Sequence, residues 1–318
     1  MRGYRASRVL LTAVELDVFT AVGEGATSTE VAATLATHPR ATESLLNALV
    51  ALGALTKRAD TFQNTPATAR YLVAGSPECV RPGFLHSVNR WHTWATLSDC
   101  VRTGTCVLEP GIEQQEGNWT RAFIASTTPQ AARGSAELVR ALKSKNIRRM
   151  LDLGGGSGIC SIALARAKPA LRAEVFDLPI VVPLAQERIR RAGLEGRITT
   201  RSGDLRTDEF GSGYDLILVS AVCHLFGPDQ NLDLLRRCYG ALSPGGTLAI
   251  RDLILNSNRT SPAVAALFSL QMLVATRAGS TYTEEEFKTW LGNAGFQNVT
   301  RSRRCREMIL ATKVAASS

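Results

Sequence analysis

Four places in this chain carry residue types and spacings that could do chemistry. The first is Asp152-Leu153-Gly154-Gly155-Gly156-Ser157-Gly158, an acid delivered by an apolar run into five residues of which four are glycine. Glycine lets a ligand approach the backbone closely, and a helix starting there presents free N–H groups and the positive end of its dipole. The spacing excludes two phosphate-binding loops. A dinucleotide fingerprint needs G-x-G-x-x-G, whose third glycine would fall on Ile159, and a P-loop needs Gly-Lys-Ser/Thr, which does not follow. The second place is Asp177, 23 residues after Gly154, where a carboxylate can accept both ribose hydroxyls of an adenosine group. The third is Gly203-Asp204, where a carboxylate can accept from an adenine amine. Either aspartate alone is more often a turn or cap residue. Together, three successive strand ends carrying Gly, Asp and Gly-Asp point to nucleoside binding.

The fourth place is His224, in Ala221-Val222-Cys223-His224-Leu225-Phe226-Gly227-Pro228-Asp229, just past the apolar run Tyr214–Ser220. A histidine there is as often packed core as catalyst, but the ligand edge of a sheet favours a base. Cys223 beside it raises a Cys–His nucleophile. Neighbours on a strand end point to opposite sides, so the two are not expected to share a proton. No cluster of His, Cys, Asp or Glu has metal-ligand spacing, so no metal is expected.

The elements that would position these residues follow from periodicity. Strands expected over 150–153, 171–176, 197–201, 214–220 and 246–255 alternate with helices over 159–167, 181–192 and 228–242. That order predicts an α/β, mostly parallel, doubly wound sheet. The N-terminal hundred residues read as helices: 7–22, a helix capped by Thr27 or Ser28 through Leu35, and 41–52 ended by Gly53. A small hairpin over 55–62 completes the winged-helix order. The would-be recognition helix carries Leu45, Leu46, Ala48, Leu49, Val50 and Leu52, which leaves little polar face to read bases. It suits packing against a second copy of the chain. Trp91, Trp94, Trp119 and Phe123 are expected on helices between 77 and 145, as core by default and as a possible roof for a substrate pocket.

These residues bring a family into view. The segments Leu151–Gly158, Phe176-Asp177-Leu178-Pro179, Gly203-Asp204 and Ala241–Gly246 resemble the caffeic-acid-type O-methyltransferases of plants and their bacterial relatives, over nearly the whole chain. The resemblance implies a Rossmann-like methyltransferase sheet behind an N-terminal helical, winged-helix-like dimerisation domain, expected over 1–110 and 111–318. It implies S-adenosylmethionine as cofactor and a homodimer acting on a small-molecule acceptor. Joined to the reading of the residues, it gives cofactor contacts at Asp152, Gly154, Gly156, Asp177, Gly203, Asp204, Leu205 and Ser220. It makes His224 the general base and Asp252 its supporting carboxylate. The chain departs from the plant pattern at Ser220 (often Lys), at Leu225 (usually Asp), and near 279–283, where Thr281 stands in for a second carboxylate. The expected reaction is in-line methyl transfer to a hydroxyl. Sulfur, nitrogen or carbon acceptors are the alternatives, and a cofactor-binding DNA regulator is a rival of another class.

Composition sets the outer bounds. The 318 residues are 45% hydrophobic and 20% charged, ordinary for two globular domains. No stretch approaches the ~18–20 apolar residues of a spanning helix, so no membrane partner is expected. Glu15 and Asp17 interrupt the first apolar segment, which argues against an export signal. Seven cysteines without a C-x-x-C pair fit a reducing cytoplasm. The net charge of +9 reads as an Arg-rich solvated surface more readily than as a nucleic-acid footprint or a means of capturing anionic substrates. Its densest run, Arg301-Ser302-Arg303-Arg304-Cys305-Arg306, has no aromatic to stack a base and is expected in a solvent-facing turn or strand.

Overall fold

The computed structural model describes residues 3–108 and 117–314, with no side-chain placement for 117–119, 129 and 130. The expected domain boundary at 110/111 and the side chain of Trp119 therefore lie outside the described residues. The chain divides into two compact units, Met1–His92 with Arg121–Thr127, and Thr93–Thr120 with Thr128–Ser318.

In the first unit, α1 (Gly3–Glu15) and α2 (Val18–Val22) replace the single helix expected over 7–22. The break is at Asp17, whose φ of 61° is left-handed and cannot continue a helix. Its carboxylate accepts from Thr20 Oγ1 at 2.7 Å and pairs with Arg81 at 3.1 Å, which holds the kink. Strand β1 (Ala26–Thr27) leads into α3 (Ser28–Thr34), capped reciprocally by Thr27 and Glu30. Helix α4 (Pro39–Ala51) begins on a proline and is followed by Gly53 at φ 73°. The hairpin β2 (Leu55–Arg58) and β3 (Thr61–Asn64) accepts β1 on its far side, so this helical unit carries a three-stranded sheet ordered β1-β3-β2. Helix α5 (Pro66–Tyr71) follows. Leu46 and Leu49 of α4 turn into the unit's own core with Phe19, Val31 and Phe62. The face offered to a partner is thus narrower than the apolar count suggested, although Leu52 remains 44% exposed.

Helix α6 (Arg81–Ala95) is assigned to the first unit as far as His92, α8 (Gly117–Ala141) gives only Arg121–Thr127 to it, and α7 (Leu97–Thr103) between them in sequence belongs to the second. Trp91 and Trp94 are half-buried rather than core residues.

The second unit holds β4 (Arg149–Leu153), α9 (Ile159–Ala167), β5 (Arg172–Asp177), α10 (Val182–Arg191), β6 (Ile198–Ser202), β7 (Tyr214–Ser220), α11 (Pro228–Ala241) and β8 (Leu242–Arg251). It continues through β9 (Ile254–Leu255), α12 (Ala263–Ala275), β10 (Tyr282–Thr283), α13 (Glu284–Asn293), β11 (Gln297–Arg301) and β12 (Met308–Thr312). Seven strands form one sheet in the order β11-β12-β8-β7-β4-β5-β6. The five from β8 to β6 are parallel, and β12 and β11 are added antiparallel. Alternating side chains feed two cores, Leu151, Leu153, Ile217, Val219 and Ile250 on one face, Met150, Leu216, Leu218 and Ala249 on the other. The chain winds outward from β4 through β5 to β6, then returns to place β7 on the other side of β4. That reversal opens a crevice at the carboxyl ends of β4 and β7.

One expected strand divides. The run over 246–255 ends its ladder at Arg251, and β9 pairs in parallel with β10 instead. Asp252 is the cause: its N–H donates to Glu307 O at 2.9 Å and its carboxylate turns away toward His224. Among the described residues no helix is long and apolar enough to cross a membrane.

The start of α13 offers a direct test of local encoding. Thr283 Oγ1 accepts from the Glu286 N–H, and Glu286 Oε2 accepts from the Thr283 N–H at 2.8 Å. Thr283→Ala should cost ~1 kcal/mol, within the usual 0.5–2 for a lost cap, measured as a lowered urea midpoint.

Candidate active site

The carboxyl end of β4 delivers the glycine loop. Gly154, Gly156 and Gly158 have φ of 65°, 56° and 71°, the left-handed region that side chains avoid. A Cβ at Gly154 would also stand 2.6 Å from Val222 Cγ2 and 3.4 Å from Leu205 Cδ1. The loop is therefore pressed against both the chain after β6 and the turn that carries His224.

Three carboxylates surround the loop in different electrostatic states. Asp152 is buried beneath it, with Oδ2 accepting from Ser161 Oγ at 2.6 Å and Oδ1 accepting from nothing among the described residues. Burial pushes this carboxyl up to about 7, against the opposing effect of the Ser161 bond. Asp177, at the end of β5, accepts from Gly156 N–H at 2.7 Å and from Leu178 N–H at 2.8 Å. Burial raises it too, partly offset by these two bonds. Each of its oxygens keeps a second acceptor position. Asp204 differs. Arg206 grips its carboxylate, with Nη2 to Oδ2 at 2.6 Å, and that hydrogen bond holds it below the usual range. The chain's own arginine thus holds the group expected to accept an adenine amine. Gly203 packs so closely on the Phe176 ring that no Cβ fits there. Ser220, at the end of β7, lies beside Cys160 in the first turn of α9.

The catalytic candidate sits on a 3₁₀ turn, Cys223–Leu225, rather than on a strand end. Ala221, at φ 58°, turns the chain off β7. Asn231 then ties the turn to α11, its Nδ2 donating to Cys223 O at 3.0 Å and Phe226 O at 3.1 Å. Tyr282 adds a hydroxyl donated to Phe226 O. His224 Nδ1 lies 2.7 Å from Asp252 Oδ1, and the His224 backbone N–H donates to Oδ2 at 3.2 Å. A carboxylate here only accepts, so Nδ1 carries the proton and Nε2 keeps a lone pair. The Phe268 ring meets the imidazole edge-on, with centroids 4.9 Å apart and planes at 85°, which fixes its tilt. Cys223 points into the apolar core, and burial raises its thiol well above the ordinary value, so it has no nucleophilic part.

Thr281, the stand-in for a second carboxylate, is fully buried and donates to Ala265 O at 3.0 Å, which fastens β10 to α12. Nearby, Gly279 leaves no room for a side chain against His224 O and Thr276 Oγ1. Residue reading missed Asn231 and Phe268. Asn231 was legible, since it interrupts the buried stripe Asn231, Leu234, Leu235, Cys238 at helical spacing. Phe268 lies on a helix apolar nearly all round, and nothing in its spacing marks it.

The residues present fit S-adenosylmethionine. The loop offers bare backbone, Asp177 has unused acceptor positions over a raised carboxyl, and Asp152 has a buried oxygen without a donor among the described residues. Among the described residues, no group of three or more His, Cys, Asp or Glu could hold a metal ion.

The Gly154 contact is testable. Gly154→Ala should destabilise the protein by roughly 1–3 kcal/mol and weaken cofactor binding, since strain and overlap add. Val222→Ala in the same chain should recover part of both losses. Full recovery would mean that the left-handed backbone costs nothing.

Comparison with known proteins gives the family. A model of the O-methyltransferase domain matches residues 110–297, and one of the O-methyltransferase dimerisation domain matches residues 1–74. The 3-hydroxy-5-methyl-1-naphthoate 3-O-methyltransferase of Streptomyces sahachiroi is 35% identical over 308 residues, covering 95% of this chain and 89% of that protein. The N,N-dimethyltransferase OxyT of Streptomyces rimosus is 32% identical over 311 residues, covering 92% and 88%. The crystal structure of human N-acetylserotonin methyltransferase in complex with SAM has a TM-score of 0.82 at 26% identity, covering 99% of this chain and 95% of that one.

Proposed function

The chain belongs to the O-methyltransferase family and is an S-adenosylmethionine-dependent methyltransferase, and on that premise we propose that it methylates a hydroxyl of a small molecule with His224 as general base. The observation that carries this reading is the 2.7 Å bond from His224 Nδ1 to Asp252, which leaves Nε2 as the acceptor. When bound, S-adenosylmethionine supplies a methyl group already activated on a sulfonium. The protein's task is alignment, water exclusion and removal of one proton. A phenol is a weaker acid than an imidazolium by ~3.5 units, or roughly 5 kcal/mol, so prior deprotonation is uphill. His224 takes the proton at Nε2 as the new O–C bond forms, and Asp252 stabilises the imidazolium that results.

The cofactor contacts belong to the same proposal. Asp177 accepts the ribose hydroxyls, Gly154 and Gly156 give close backbone approach, and Asp152 supports the loop from below. Leu205, Gly203 and Ser220 line the same edge, and Asp204 takes part with Arg206 attached. An amine acceptor is the second reading, because OxyT, named for N-methylation, is nearly as similar as the naphthoate enzyme. The 110/111 domain boundary remains a proposal, supported by family matches that end at 74 and begin at 110. A cytoplasmic location is supported by the burial of Cys100, Cys160, Cys223, Cys238 and Cys305 as free thiols.

His224→Ala should lower kcat by ~10²–10⁴ on a hydroxylated aromatic acceptor, with cofactor affinity near wild type. Asp252→Asn should lower it less. Wild-type rates in both variants would retire the general base.

A homodimer is the proposed assembly, supported by the dimerisation-domain match and by exposed Tyr4, Leu10, Leu16 and Leu52. Light scattering should return about twice the 34.2 kDa chain mass; a monomer at micromolar concentration would overturn it.

A further inference from the structure

Arg251 ends β8 one residue before Asp252, on the strand face it shares with Ala249 rather than with Ile250. Its side chain is only 9% exposed. The guanidinium lies directly over Gly134 of α8, where a Cβ would occupy the same space. This buried cation is incompletely matched. Nη2 stands 3.5 Å from Glu307 Oε2, whose side chain is 43% exposed, and the buried Nε donates to no group among the described residues. A buried charge lacking its hydrogen bonds costs free energy, so its retention calls for a counter-charge.

A cavity of about 510 Å³ opens beside it. Arg133 and Glu137 of α8 form one wall, and Arg303, Arg304, Arg306 and Glu307 from the turn between β11 and β12 form another. With Arg251, five guanidinium groups face two carboxylates, an excess of three positive charges. Arg304 Nη1 donates to Arg140 O at 3.0 Å, which fastens the turn to α8 and fixes the cavity's width. The basic run therefore does more than solvate a surface: it lines a pocket.

We propose that this pocket binds a phosphate-class dianion, either free phosphate or the phosphate of a small monoester. Planar guanidinium forks give paired N–H donors that match two oxygens of such a group, and Arg251 adds its charge to the lining. The arginines of the turn between β11 and β12 lie outside the methyl-transfer machinery, and the proposal stands whichever acceptor atom is methylated.

The test uses the full chain with inorganic phosphate as probe, at ionic strength held constant with potassium chloride. Thermal unfolding should shift upward saturably with phosphate, because the ligand binds the folded state. Replacing buried Arg251 risks the fold, so the exposed pair carries the test: Arg303→Ala with Arg306→Ala should weaken phosphate binding at least tenfold. Methyl transfer without phosphate should be unchanged in that variant. A sugar monophosphate that binds more tightly than phosphate makes the monoester the ligand, and equal or weaker binding makes it the free anion. No saturable shift in the wild-type protein, or an equal shift in the double variant, would overturn the proposal.

Discussion

The last rung between β7 and β8 is the hydrogen bond from Ala221 N–H to Arg251 O, at 2.8 Å. Beyond it both strands must leave the ladder, and every backbone group they bury needs a new partner. The Asp252 carboxylate takes two of them, the N–H groups of His224 and Leu253. Asn231 takes two carbonyls, and Glu307 O takes the Asp252 N–H. The imidazole bond to Asp252 is one member of this set. The geometry of the proposed base is therefore inseparable from the satisfaction of buried polar backbone, and the residues that orient His224 also close the ends of two strands.

The same constraint explains what the sequence disclosed. Features that depend on neighbours in the chain were legible: the glycine loop, the cap at Thr27, the helix from Ile159 to Ala167 and the strand from Tyr214 to Ser220. Features set by distant partners were not. Asp252 splits an apolar run because its N–H pairs with Glu307 O while its carboxylate turns to His224. Asp17 breaks a well-patterned helix because Thr20 and Arg81 stabilise a left-handed residue. Leu46 and Leu49 of α4 serve their own core because α3, β2 and α1 pack against that helix, which residue counting cannot show. Asp204 was found by position, but its pairing with Arg206 two residues on went unread.

The site also separates its acids by environment. Three aspartates within one loop system are tuned apart: Asp152 upward by burial, Asp177 upward but checked by two N–H donors, and Asp204 downward by a guanidinium. The first accepts from the Ser161 hydroxyl, the second holds two backbone N–H groups, and the third is fixed by its own arginine. Identical side chains thus come to do unlike work, and that division follows from depth and partner rather than from residue type.

Gly279 has a consequence for how such a site can diverge. It lies against the His224 carbonyl and Thr276, at the point where α12, which carries Phe268, turns back toward β10. Along α12 itself, Val264 and Leu267 are open to solvent, so that helix tolerates substitution on its outer face. Substitution on that outer face can therefore leave the imidazole untouched, while a single hydrogen atom at 279 keeps the helix in register with the turn that carries His224. Any side chain at 279 would drive the His224 carbonyl and Thr276 apart, so the position of the turn depends on a residue that never touches the imidazole itself.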